Sequence, residues 1–211
     1  PTASVLSLES SGADPAEART DDVVTATVSG SDPEGSAGQF TYRWLVDGAE
    51  VLSDGPSSAT ESSLDGSLYF QRGQTVQVEV VPSDGLDDGA AALSAVLTVA
   101  NSAPSAPSVS VSPAFPEEYE DILCTASGSS DADGDLVSYS YSWTQDGAAR
   151  ADLAGQDTVP SSETGLGESW ICTGTASDGT DSSSATATAA VASPCPDDDG
   201  DSYDCDDCND T

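Results

Sequence analysis

Phe40-Thr41-Tyr42-Arg43-Trp44, followed by Asp47-Gly48, is matched further along the chain by Tyr139-Ser140-Tyr141-Ser142-Trp143, followed by Asp146-Gly147. In both copies aromatic side chains stand at every second position, the period that sends alternate side chains to one face of a β-strand. Each run then meets Asp-Gly, a turn signal. The flanking sequence repeats in step. Ser29-Gly30-Ser31-Asp32-Pro33-Glu34-Gly35 recurs as Ser127-Gly128-Ser129-Ser130-Asp131-Ala132-Asp133-Gly134, one residue longer. Val76 to Val80 with Ser83-Asp84-Gly85 matches Trp170 to Gly174 with Ser177-Asp178-Gly179. Two copies of one module therefore follow each other. Asn101-Ser102-Ala103-Pro104-Ser105-Ala106-Pro107 joins them, and its two prolines make the joint short and stiff. The expected division is 1–100, a linker at 101–107, 108–193, and a tail at 194–211.

Each copy reads as strands. Phe40, Tyr42, Trp44 and Val46 share one face, as do Val76, Val78 and Val80; in the second copy the rows are Val137, Tyr139, Tyr141 and Trp143, then Trp170 and Cys172. Each module is expected to close with a long strand of small residues, Leu93 to Val99 and Ala185 to Val191, and no stretch carries a helical period. About seven short strands in roughly 95 residues imply an all-β fold of two tandem antiparallel β-sandwiches, followed by a short irregular metal-binding tail.

Cys124 falls in the second strand of its copy, Trp143 in the third and Cys172 in the penultimate one. That is the Cys, Trp, Cys order of immunoglobulin-like sandwiches, in which a disulfide crosses the two sheets with the Trp packed against it. The first copy has Ala26 and Val78 at the matching positions and must rely on apolar packing. Trp170 replaces the tyrosine that antibody-type domains carry two residues before the second cysteine, which makes any relationship to them distant. The string Asp131-Ala132-Asp133-Gly134-Asp135, with Tyr141, Trp143, Gly147, Glu168, Trp170, Cys172 and Ser177-Asp178-Gly179, resembles the tandem immunoglobulin-like repeats of large secreted bacterial surface proteins. Residues Pro196 to Thr211 resemble the aspartate-rich motif, related in style to thrombospondin type 3 calcium repeats, that accompanies such arrays. The resemblance implies adhesion, spacing or filament building without choosing among them.

Composition removes several functions. The 211 residues include 38 acidic and 4 basic ones, a formal net charge of -34, and no histidine. All four basic residues are arginines (Arg19, Arg43, Arg72, Arg150), so no basic stripe exists to neutralise phosphates. Nucleic acid and anionic membranes are accordingly not expected as partners. No apolar run approaches the roughly 18 residues of a membrane-spanning helix, and membrane insertion is not expected. Without His or Lys, acid–base catalysis would fall on carboxylates or tyrosines, and no nucleophile or phosphate-loop motif is present. The chain is not expected to be an enzyme. Five cysteines in an acidic, lysine-free chain favour an extracellular or cell-surface setting. Since the chain begins at Pro1, any secretion signal is expected to have been removed or to lie outside it.

The chemistry that remains is calcium binding. Ca2+ takes six to eight hard oxygen ligands, and aspartates at alternate positions of a tight loop turn several carboxylates inward. D-x-D-G-D occurs as Asp131, Asp133, Asp135 and as Asp197, Asp199, Asp201. Neither is an EF-hand, because the glycine is fourth rather than sixth. In this sandwich the loop after the second strand and the loop before the last lie at one end. That end would gather Asp131, Asp133, Asp135, Asp178 and also Asp181, with Asn101 from the linker. A weaker set in the first module comprises Asp32, Glu34 and Asp84, with Asp87 and Asp88. In the tail, Asp204, Asp206, Asp207, Asn209 and Asp210 add oxygens. A bridge from Cys195 would close that loop, with Cys205 and Cys208 equally placed as its partner; zinc is disfavoured because the remaining donors are oxygens. The competing reading is that all these loops are solvated turns.

Two functional classes follow. The first is a calcium-binding structural or adhesive surface protein whose acidic ends meet neighbouring modules or further copies head to tail, as in an extracellular filament. The second is an accessory spacer or carbohydrate-binding module of a secreted hydrolase, reaching surface glycans through exposed aromatics. Aromatics make up 6% of the chain, nearly all on inward rows, and Trp44, Trp143 and Trp170 are expected in the core. The first class is preferred.

Overall fold

The structure is a computed structural model, in which residues 1–32 and 38–192 are described. The chain divides into two compact units, Pro1–Ser102 and a second beginning at Ala103. The first contains β1 (Thr2–Ser10), β2 (Ala18–Arg19), β3 (Val23–Ser31), β4 (Gln39–Val46), β5 (Ala49–Ser57), β6 (Glu61–Asp65), β7 (Thr75–Ser83), β8 (Ala92–Leu93) and β9 (Leu97–Ala100). One sheet runs β1-β3-β6; the other runs β2-β9-β7-β4-β5, with β8 also paired to β7. Pairing is antiparallel except between β2 and β9, where Ala18 lies opposite Val99 in parallel. The chain thus changes sheets between Ser10 and Ala18. The Asp22 carboxylate secures the crossing by accepting from the Ser10 hydroxyl at 2.7 Å and the Arg19 amide at 2.9 Å.

The inward rows are those implied by the period of two. Phe40, Tyr42, Trp44 and Val46 of β4 and Val76, Val78 and Val80 of β7 are buried with Val24, Ala26 and Val28 of β3. Trp44 is fully buried, and its indole N–H donates to the Ser62 hydroxyl at 3.1 Å, which in turn donates to Asp54. Two expectations need correction. The strand expected over Leu93 to Val99 is interrupted, because Ser94 is buried and its hydroxyl accepts from the Val78 amide at 3.0 Å, taking the place of a ladder bond. A single helical turn, α1 (Gly66–Tyr69), also occurs; Asp65 caps it by accepting from the Ser67 amide. A side chain at Gly66 would collide with the Phe70 ring and the Asp22 carbonyl, so glycine is needed for this close approach.

The second unit is simpler: β10 (Ser108–Ser112), β11 (Ile122–Ser127), β12 (Ser138–Gln145), β13 (Ala148–Ala149), β14 (Thr158–Val159), β15 (Ser169–Ser177) and β16 (Ser182–Ala190). Three strands form the sheet β10-β11-β14 and four form β13-β12-β15-β16, all antiparallel. This is an immunoglobulin-like sandwich of seven strands. Cys124 and Cys172 form a disulfide across the sheets, and Trp143, the cross-strand neighbour of Cys172, is buried in the same core. Trp143 meets Trp170 edge to face with ring centroids 6.4 Å apart. Arg150 lies over the Trp170 ring at 5.1 Å and bonds Asp152, Glu163 and the Gln145 carboxamide. Outward positions carry small hydroxyls, as at Ser138, Ser140 and Ser142.

The Asp-Gly pairs that follow the aromatic runs make the same turn in both units. Asp47 and Gly48 adopt φ of 50° and 78°, Asp146 and Gly147 adopt 50° and 82°, the left-handed pair of a two-residue hairpin. Each aspartate also reaches the start of the strand that pairs with the other edge of its own, β7 or β15, Asp47 accepting from the Thr75 amide and Asp146 from the Ser169 amide, both at 2.9 Å.

Candidate metal centre

Register fixes what lies at each end of the second unit. Ser138, the first residue of β12, pairs with Ser177, the last of β15. The loop after β11 and the turn between β15 and β16 therefore share one end. The loop begins under several clasps: the Tyr139 and Tyr141 hydroxyls accept from the Ser129 and Ala126 amides, while Ser105 and Ser130 exchange two hydrogen bonds of 2.8 and 2.9 Å. Asp131 then folds the chain over itself. Its carbonyl accepts from the Gly134 amide at 3.2 Å, and its Oδ1 accepts from the Asp133 and Asp135 amides at 2.9 and 3.4 Å. Gly134 sits at φ +80°, open to glycine and costly for a residue with a Cβ.

The fold brings Asp131, Asp133 and Asp135 together. Each is partly buried and offers a carboxylate oxygen within 4.8 Å of the others. Two oxygens bound to one Ca2+ at about 2.4 Å are at most about 4.8 Å apart, so the three fit a common ion. Asp131 contributes more than proximity. While Oδ1 accepts from the loop amides, Oδ2 is buried and accepts no hydrogen bond among the described residues. A carboxylate oxygen removed from water without a donor is costly, and a cation relieves that cost. All three donors are hard oxygens, which suits Ca2+ rather than a thiolate- or imidazole-seeking metal.

The other expected ligands are placed differently. The Asp178 Oδ1 accepts from the Thr180 and Asp181 amides at 2.6 and 2.7 Å and so closes its own turn at the same end, outside the group of three. Asn101 lies in the first unit, where its carbonyl accepts from Arg19 at 2.7 Å and its side-chain oxygen accepts from Arg72. Asp84 repeats the arrangement of Asp178: its Oδ1 accepts from the Leu86 and Asp87 amides, both at 2.8 Å, and the Asp87 amide above all holds its carboxyl below the usual range. Asp32 follows β3 at the end of the first unit where Gln39 pairs with Ser83, the end that also carries Asp84. Glu34, and the tail residues Asp197, Asp199, Asp201, Asp207, Asp210, Cys195 and Cys208, lie outside the described residues. The sequence shows the inward tyrosine row but carries no signal for the clasping roles of the Tyr139 and Tyr141 hydroxyls or of Ser105.

No family model matches the chain, and no curated protein matches it. Among solved structures it is similar to a two-domain fibronectin type-III segment of chicken tenascin, with 12% identity over 88% of this chain and 98% of that one and a TM-score of 0.42. It is also similar to the chicken interferon gamma receptor alpha chain, with 10% identity over 91% and 98% and a TM-score of 0.46. Among the described residues no helix is long and apolar enough to cross a membrane.

Proposed function

We propose that the chain is a non-catalytic extracellular module with a structural or adhesive role, and that its second unit binds Ca2+ through Asp131, Asp133 and Asp135. The observation that carries the calcium reading is the buried Asp131 Oδ2, which accepts no hydrogen bond among the described residues and stands beside two further carboxylates. The extracellular setting is supported by the Cys124–Cys172 disulfide, a bond that persists in oxidising compartments. The same D-x-D-G-D pattern extends the proposal to Asp197, Asp199 and Asp201 in the tail. In this reading calcium neutralises carboxylates at the module ends and lets acidic neighbours meet, as a head-to-tail filament requires.

Calorimetric titration of the full chain tests the central claim. Asp131→Asn keeps the side chain's size but replaces Oδ2, the oxygen offered to the ion, with an amide or leaves it uncharged. The expected result is one fewer Ca2+ bound, or an affinity about tenfold weaker at that site, which is about 1.4 kcal/mol. Unchanged stoichiometry and affinity would make the loop a solvated turn. Light scattering in millimolar calcium tests the filament: fibres that shorten on chelation are expected, and a monodisperse monomer would remove that part.

A further inference from the structure

We propose that the loop joining β10 to β11, residues 113–121, is a docking surface for a basic polypeptide segment that carries apolar side chains. Ser112 pairs with Leu123, so this loop lies at the end of the second unit opposite the Asp131 carboxylates. It exposes Phe115 (75%) and Tyr119 (70%), the two aromatics among the exposed large hydrophobics of the described residues, and Leu166 is exposed on the neighbouring segment. Every aromatic on the strand rows is turned inward or half-buried, which makes this pair the departure from the pattern.

The loop does not hang free. Its Ala114 and Pro116 carbonyls accept from the Ala190 and Ala192 amides at 3.1 and 3.0 Å, and Pro116 is buried. The Tyr119 amide donates to the Thr164 carbonyl, the Thr164 hydroxyl donates to the Glu120 carbonyl, and Asp121 accepts from the Ser161 amide. Tyr119 is thereby held at φ +62°, a backbone region that bulky residues seldom adopt. Two large apolar rings are thus presented to solvent by a fixed backbone, the arrangement found where proteins meet partners.

Charge selects the partner. Glu117, Glu118, Glu120 and Asp121 surround the rings in sequence, and the loop contains no Lys or Arg. The neighbouring cation, Arg150, bonds Asp152 and Glu163. An anionic ligand, or a second copy of a chain with net charge -34, is repelled here. A neutral glycan would stack on the rings but leave the charge of four carboxylates unused. Lysines or arginines on an apolar-bearing segment use both: ammonium or guanidinium groups pair with the rim and lie over the ring faces, while apolar side chains cover the remainder. The surface is independent of the calcium reading, and its test is run both with calcium and with EDTA.

The probe is a fluorescent peptide alternating lysine and leucine, titrated against the full chain and against Phe115→Ser/Tyr119→Ser, whose substitutions lie on exposed side chains. Controls are oligolysine of the same length, a glutamate–leucine peptide, a neutral oligosaccharide, and sedimentation of the chain alone. The lysine–leucine peptide is expected to bind the native chain about tenfold more tightly than the double variant. Oligolysine should bind the two equally, added salt should weaken both, and EDTA should change neither. Equal binding of the lysine–leucine peptide to both chains, or stronger binding of the acidic peptide or the oligosaccharide, would overturn the proposal. So would self-association that the double variant abolishes, which would assign the face to a second copy.

Discussion

Asp131 and Tyr42 show how much a single buried oxygen determines. The Asp131 group was legible in the sequence because its members are spaced within five residues and one turn gathers them. Asp178 shares their end of the unit, but its Oδ1 accepts from the amides two and three residues on and its side chain lies outside the group of three; spacing along the chain does not fix how closely carboxylates from two different loops approach. Tyr42 is buried, and its hydroxyl donates to the Ala59 carbonyl at 2.8 Å. Burial, then the charges of Asp54 and Glu61, push its phenol up to about 12 from the ordinary 10.0. A raised folded-state value means that the stability contributed by the neutral phenol is complete below pH 10 and is lost as pH rises toward 12. Urea unfolding across that range should show stability falling in the native chain. In Tyr42→Phe the fall should be shallower, with a loss of about 1 kcal/mol at neutral pH for the missing hydrogen bond. An equally steep fall in the variant would place the alkaline sensitivity elsewhere.

At the scale of elements, the two units solve one packing problem in two ways. Where the second unit carries Cys124 and Cys172, the first carries Ala26 and Val78, and the difference is made up by Phe40, Val46, Leu64 and Phe70 around Trp44. The bond closes a loop of 48 residues, for which chain entropy gives a stabilisation of about 4 kcal/mol. Cys124→Ala/Cys172→Ala should therefore lower the melting transition of the second unit strongly and leave that of the first in place. Calorimetry resolving two transitions checks this, and a shift of both together would mean that the units unfold as one body. The strand rows and the Asp-Gly hairpins were readable because period and turn chemistry are local. The split between β8 and β9 was not, since it depends on the Ser94 hydroxyl satisfying an amide of another strand. Nor was the parallel pairing of β2 with β9, which requires a change of sheet that no local pattern announces.

For the molecule as a whole, charge is the dominant fact. Against 38 carboxylates stand four arginines, and each is engaged within the chain: Arg19 and Arg72 at Asn101, Arg43 with Glu50 and Glu79, Arg150 with Asp152 and Glu163. Exposed pairs of this kind contribute little, so net self-repulsion should outweigh them. Raising NaCl from about 0.01 M to about 1 M shortens the screening length from about 30 Å to about 3 Å. The urea midpoint should rise over that range. A falling midpoint would mean that the few ion pairs outweigh the repulsion.

The Cys124–Cys172 disulfide also bears on how the chain yields to tension. If force is applied through the ends of the chain, the first unit has no covalent cross-link and can be drawn out along its entire length. The second cannot, because the segment between Cys124 and Cys172 stays looped behind a bond that ordinary pulling does not break. At about 3.5 Å per extended residue, those 48 residues withhold about 170 Å of contour. One polypeptide thus contains a long yielding element and a short one, and a reductant would convert the second into the first.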